Sequence, residues 1–118
     1  MAQTITATEV LDRGIGVADI AAAAVAATDA EITFKNTGSE ILFVVNADAG
    51  AREATLVAIP DFYGRGGGGD NDEVISVPAD GIGMFPLMNV AMFGSTVTVN
   101  LDATANTSLA LFRLRKVA

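Results

Sequence analysis

The chain has 118 residues, of which 51% are hydrophobic and 18% charged, and its formal net charge is −7 with no histidine. A chain of this length fits one domain, and its composition excludes a disordered protein. The acidic balance argues against nucleic-acid binding, because such surfaces concentrate Lys and Arg. The absence of cysteine excludes disulfides, zinc–thiolate sites and a thiol nucleophile. The apolar excess suggests either a large core or a surface that a partner covers.

The first segment, residues 1–15, has β-capable side chains but a weak period. It predicts an extended N-terminal arm, in which Ile5, Val10 and Leu11 fill apolar pockets on another chain while residues 16–118 fold as the domain. The alternative, that the arm forms the first strand of its own domain, stays open. The segment lacks a positive region followed by an apolar stretch, so no secretory signal is expected.

An alanine-rich stretch follows the arm. Its most apolar run, Ile20 to Ala27, is far shorter than the ~20 residues of a membrane span. Alanine favours helix, whereas the flanking glycines and the β-rich surroundings favour an irregular or extended segment. Both conformations remain open for residues 17–27, and no membrane contact is expected.

The central part of the chain predicts strands. In "EITFKN", Ile32 and Phe34 alternate with polar residues, as in a half-buried strand. The run "ILFVVN", residues 41–46, is apolar on both faces and predicts a central strand. The polar turn between them includes Gly38, which is free to take a positive φ, so a hairpin is the simplest arrangement.

Further strands follow. "ATLVAIP" and "DEVISVP" are runs that end at Pro60 and Pro78, and the chain then turns through Asp80 and Gly81. "STVTVNL" alternates cleanly, and "SLALFRL" completes the pattern. About seven strands with turn signals between them predict a single all-β domain, either a β-sandwich or a β-tulip or small barrel.

Four glycines, Gly66 to Gly69, interrupt this pattern inside "YGRGGGGDND". A phosphate-binding P-loop is excluded because Asp70 follows where Lys is required, and a dinucleotide site is excluded because a strand follows rather than a helix. The acids from Asp70 to Glu73 offer oxygen ligands but lack EF-hand spacing. The stretch therefore predicts an exposed hairpin tip.

No catalytic constellation is visible. Without His or Cys, a carboxylate pair or a Ser/Lys arrangement would be needed. The acids are scattered over predicted turns and neither lysine flanks a serine at a motif spacing. We therefore expect a protein that is not an enzyme and has no cofactor. The scattered acids are Asp29, Asp48, Asp61 and Asp102.

The stretch "GIGMFPLMNVAMFG", residues 81–94, is rich in Met and Phe. Methionine is adaptable and is frequent at surfaces that repack. Two interpretations stay open: a lid or crossover between sheets, and a subunit interface. For the second, Met84, Phe85 and Met88 are the candidate partner contacts.

The segments "FKNTGSEILFVVNA", "VISVPADGIGMFPL", "FGSTVTVNLDA" and "LALFRLRK" cover most of the chain beyond the Thr-rich arm. Together they resemble the small virion proteins of tailed phages of the capsid decoration, or cement, type. The resemblance implies a β-sandwich or β-tulip subunit, made in the host cytoplasm, that binds the major capsid protein on the outer surface of the head, often as a homotrimer. The alternatives are a neck, tail or fibre protein, and a stand-alone ligand- or glycan-binding β-sandwich that uses the Asp70 to Glu73 acids with calcium.

Overall fold

The computed structural model describes residues 2–10, 20, 22–57, 72–85 and 93–114. These residues form ten strands in two sheets that pack face to face, which confirms the predicted all-β sandwich. The strand number exceeds the predicted seven because three strands, all before residue 27, have only two or three residues. Strands this short show no period in a sequence.

The first sheet has five strands in the order β1-β4-β9-β6-β7, and all its pairs are antiparallel except the parallel pair β1–β4. Its inner face buries the apolar residues of the alternating patterns, among them Ile32, Phe34, Val97 and Val99. The prediction of alternation in "EITFKN" and "STVTVNL" is thus confirmed. The bounds are β1 Gln3–Thr4, β4 Glu31–Lys35, β6 Arg52–Leu56, β7 Glu73–Val77 and β9 Thr96–Leu101.

The second sheet follows the order β2-β10-β5-β8, with β2–β10 parallel and the other pairs antiparallel. A further strand, β3, pairs with β10 next to β2. The strand β5 lies between β10 and β8, as its two apolar faces predict. The bounds are β2 Thr8–Val10, β3 Val25–Ala26, β5 Glu40–Asn46, β8 Ile82–Phe85 and β10 Thr107–Leu114.

The hairpin predicted between β4 and β5 does not form. The strand β4 pairs with β9 in the first sheet, whereas β5 pairs with β10 and β8 in the second, so the chain crosses the sandwich between them. The buried Asn36 side chain helps to fix this crossing: its Oδ1 accepts from the Gly38 N–H at 2.9 Å and its Nδ2 donates to the Gly94 carbonyl at 3.1 Å. Gly38 has the predicted positive φ, at 91°.

The pair β6–β7 is a true antiparallel pair of consecutive strands, with Leu56 opposite Glu73. The connection between them contains Gly66 to Gly69, and the predicted exposed tip lies outside the described residues. The predicted turn after Pro78 is confirmed: Asp80 has φ 54°, and the Gly81 N–H donates to the Pro78 carbonyl at 3.0 Å.

A small second core covers part of the outer face of the second sheet. It contains the buried residues Ile20, Ala110 and Phe112, against which Ala23 and Ala24 also pack. The backbone is helical at residues 20, 22 and 23 and becomes the strand β3 at residues 25–26. The alanine-rich segment thus combines the two conformations left open by its sequence, and its small side chains lie close to the sheet.

Candidate partner-binding surface

An apolar stripe runs across the outer face of the second sheet at its β8 edge. Strand alternation places Ile82 and Met84 of β8 on this face, because Phe85 points into the core. Met84 lies opposite Phe43 of β5, and Ile82 lies opposite Val45. Side chains directly opposite on one face of an antiparallel pair contact each other. We call these four residues, Phe43, Val45, Ile82 and Met84, the apolar stripe.

The exposure of this face changes from one side to the other. Phe112, on β10, is only 2% exposed, and its ring meets that of Phe43 edge to face at 5.8 Å between centroids. Farther out, Ile82 is 43% exposed and Met84 is 48% exposed. The alanine-rich segment therefore covers the β10 side of the face and leaves the β8 side open to water.

The edge strand β8 lacks the usual protection of such a position. Among the described residues it pairs only with β5, and its sequence, Ile82 to Phe85, contains no charge and no proline. Natural edge strands are usually protected by charge, proline or a bulge. Gly83 is required for packing, since a Cβ there would lie 2.6 Å from Val77 Cγ2 on β7. The edge is thus held firmly while its outer face stays apolar and accessible.

The predicted contact residues divide between the two faces. Met84 belongs to the exposed stripe, but Phe85 is completely buried in the core, so it is not available to a partner in this structure. The physical reason is the two-residue period, which sends neighbours to opposite faces. Met88 lies outside the described residues. Ile82 and Phe43 were not predicted as contact residues. The signal for them was that β5 and β8 carry apolar residues at the positions that face outward.

The arm lies against its own domain. Ile5 is 6% exposed and belongs to the main core, because β1 adds to the first sheet and β2 to the second. The arm therefore forms strands of its own sandwich here, the alternative that the sequence left open. Val10 ends β2, and Leu11 lies outside the described residues.

One end of the sandwich is closed by an ion pair. Glu40 is completely buried, and its carboxylate accepts from the Arg113 guanidinium on the neighbouring strand β10 and from the Thr37 N–H at 2.7 Å. Burial alone would raise the pKa of Glu40, but the hydrogen bonds from Arg113 and Thr37 and the Arg113 charge outweigh it and lower that pKa. Glu40 and Arg113 occupy positions that alternate in step with the inward-facing apolar residues of their strands. This pattern was the signal in the sequence for a buried ion pair.

A second polar network closes the other end. The buried Arg52 of β6 donates from Nε to the Thr107 hydroxyl at 3.0 Å and from an Nη to the Ala105 carbonyl at 2.8 Å, which links the two sheets. Its guanidinium also lies 3.5 Å from Asp48 and 3.8 Å from Asp102. Asp48 and Asp102 are far apart in the sequence but meet around one arginine.

Asp48 is held by several neighbours. The Asn106 amide donates to its carboxylate at 3.1 Å, as does the Gly50 N–H at 3.2 Å. These hydrogen bonds and the Arg52 charge lower the pKa of Asp48. The two networks bind strands together, and within the described part of the chain every buried side-chain polar atom has a hydrogen-bond partner. In that part, no group of three or more acidic side chains is placed to hold a metal ion.

Within the described ranges, no helix combines the length and the apolar character needed to cross a membrane. Comparison of the chain with family models, curated proteins and solved structures found no match.

Proposed function

We propose that the chain is a structural virion protein, a decoration or cement subunit on the outer surface of a phage head. The observation that carries this proposal is the apolar stripe, where Ile82 and Met84 stand 43% and 48% exposed on an uncharged edge strand. An exposed apolar patch next to an open sheet edge is typical of a protein–protein interaction site. The major capsid protein is the proposed partner.

The charge of the chain supports an outer position. A net charge of −7 repels nucleic acid. The chain therefore gains nothing from being near the packaged DNA, which favours a position on the outside of the head. The stripe itself carries no charge. Contact through it therefore buries apolar area without desolvating an ion, which is the least costly way for an acidic protein to bind.

The proposal includes self-association as a closed homotrimer, because closed rings are how identical subunits cover their apolar surface without forming fibres. Sedimentation of the isolated chain and of the chain released from heads measures the number of copies. A trimer in either sample supports this part of the proposal, and a monomer in both contradicts it.

The test compares the unaltered chain with Met84→Glu, using heads of the phage that encodes it. A glutamate in the stripe must lose its hydration when a partner covers it, so we expect head binding to fall about tenfold or more. The matched control is Val74→Glu, because Val74 is 53% exposed on the outer face of the other sheet. The control should bind and melt like the unaltered chain.

Two results would overturn the proposal. One is equal head binding by the Met84 and Val74 variants with equal melting temperatures. The other is absence of the chain from purified heads together with a rise in melting temperature on adding calcium. The second result would favour a ligand-binding sandwich that uses the Asp70 to Glu73 acids.

A further inference from the structure

We propose that the site holding the N-terminal arm is an exchangeable strand-binding groove, and that in the assembled protein it is filled by residues 2–10 of a neighbouring copy. The arm groove consists of the edge of β4 that pairs with β1, the edge of β10 that pairs with β2, and the backbone of residues 26–28. The inference rests on the self-association in the proposed function, and it names the segment that each copy exchanges.

The arm lies in this groove as an extended peptide ligand would. Thr4 pairs in parallel with Thr33 of β4, and Thr8 pairs with Phe112 of β10, so one short segment adds a strand to each sheet. Between these two contacts the Ile5 N–H donates to the Thr33 carbonyl at 3.0 Å, and the Ile5 side chain enters the core. Strand addition with alternate side chains in pockets is a recurring mode of peptide recognition.

Gln3 adds a specific contact. Its amide nitrogen donates to the Ala26 carbonyl at 3.0 Å, and its amide oxygen accepts from the Thr28 N–H at 2.8 Å. The groove therefore makes three kinds of contact with the arm. Two backbone groups bind the Gln3 amide, the main chain of the arm pairs with β4 and β10, and the Ile5 side chain is buried. These three kinds of contact identify the occupant as an extended segment with the sequence of the arm.

The arm is separable from the rest of the fold. Without it, β4-β9-β6-β7 and β10-β5-β8 remain continuous sheets, since β1 and β2 occupy only outer positions. Each arm strand contributes two or three residues. Removing the arm from its groove breaks a few edge contacts and exposes Ile5, but it leaves every other strand pair in place.

A second copy is the occupant that fits, because its arm offers the same contacts in the same register. The connection from the arm to Ile20 is residues 11–19, which span at most roughly 30 Å when extended. The chain measures 43 × 42 × 24 Å, so the connection is long enough to reach a neighbour packed along the shortest of these dimensions. Exchange from each copy to the next is a head-to-tail contact, which closes into a ring when the rotation between copies is a whole fraction of a full turn.

The test uses engineered cysteines in the full chain, which has none of its own. The Thr4 and Thr33 hydroxyl oxygens lie 3.4 Å apart, so cysteines at both positions are placed to form a disulfide across the groove. Thr4→Cys is made on one copy and Thr33→Cys on a copy with a short tag, and the two are refolded together and oxidised. We expect a disulfide-linked pair of one tagged and one untagged chain on a denaturing, non-reducing gel.

The control pair is Glu53→Cys with Ser76→Cys, two exposed residues that lie opposite each other on β6 and β7. Mixed in the same way, these chains give the background of random cross-linking. A mixed Thr4 and Thr33 product at least fivefold above this background supports exchange. The inference is overturned if the mixed product stays at background while the double variant Thr4→Cys/Thr33→Cys closes its disulfide within one chain. Since no heads are used, failure here is separate from failure to bind heads.

Discussion

Replacing Glu40 by Gln tests whether the buried ion pair stabilises the sandwich. The carboxylate of Glu40 accepts from the Thr37 N–H and hydroxyl, from the Ser39 N–H at 3.2 Å and from the Arg113 guanidinium. Glutamine has nearly the same shape but only one acceptor oxygen and no charge. It can still bind the turn at residues 37–39, but its NH₂ group then faces the donors of Arg113.

The size of the loss follows from burial. Removing one partner of a fully buried ion pair costs about 3–5 kcal/mol, and a hydrogen bond to a charged group contributes about 1.5–3 kcal/mol. Glu40 is completely buried, but the Arg113 side chain is 30% exposed and regains some hydration when its partner is lost. We therefore expect Glu40→Gln to lower the free energy of unfolding by about 2–3 kcal/mol, or about 10 °C in melting temperature.

The assay is urea unfolding at neutral pH, analysed for a shift of the midpoint at constant slope. The matched control is Glu53→Gln, which removes an exposed charge from β6 and should change stability by less than about 0.5 kcal/mol. Equal midpoints for the two variants would refute the reasoning, since the burial of Glu40 would then have no consequence. A changed slope would instead indicate a less compact native state.

Two further predictions concern acid and the glycine connection. Because the folded pKa of Glu40 is lowered from 4.5, its stabilisation is complete above that value and is lost as the pH falls through the folded pKa. The stability difference between the unaltered chain and Glu40→Gln should therefore shrink as the pH falls below about 4.5 and through the folded pKa, and a constant difference would contradict the assignment. Deleting two of the four glycines from Gly66 to Gly69 should change the free energy of unfolding by well under ~1 kcal/mol, and calorimetry showing a large loss would reject the exposed-tip prediction.

The long alternating runs could be predicted from the sequence because their period matches one buried face. The strand β9 is the clearest case, since its apolar residues all lie in the core as expected. The failed hairpin shows what a local pattern cannot decide. A short polar turn allows both a return within one sheet and a crossing to the other. The choice depends on the pairing of β4 with β9 and of β5 with β10, whose paired residues are more than 60 residues apart in the chain.

The candidate surface was only partly predictable for the same reason. Composition indicated an apolar excess, and the Met-rich stretch indicated where in the chain a partner contact could lie. Which residues face outward depends on how β8 pairs with β5, and this pairing exposes Met84 and buries Phe85. The position of the arm in its own sandwich could not be predicted, because its strands are too short to show a period. Ile5 is in the core through long-range parallel pairing, which no local pattern reports.

The apolar excess has a definite position in the fold. A two-sheet sandwich needs one apolar face per sheet, yet β5 and β10 carry apolar residues on both faces. The alanine-rich segment covers this surplus at Phe112 but does not extend over Ile82 and Met84. Val74 on the first sheet and Val25 on β3, beside β10, are also exposed. Ile82 and Met84 differ from them because they lie opposite Val45 and Phe43 and form one patch with them. The stripe is therefore a surface on which one mutation can separate binding from folding.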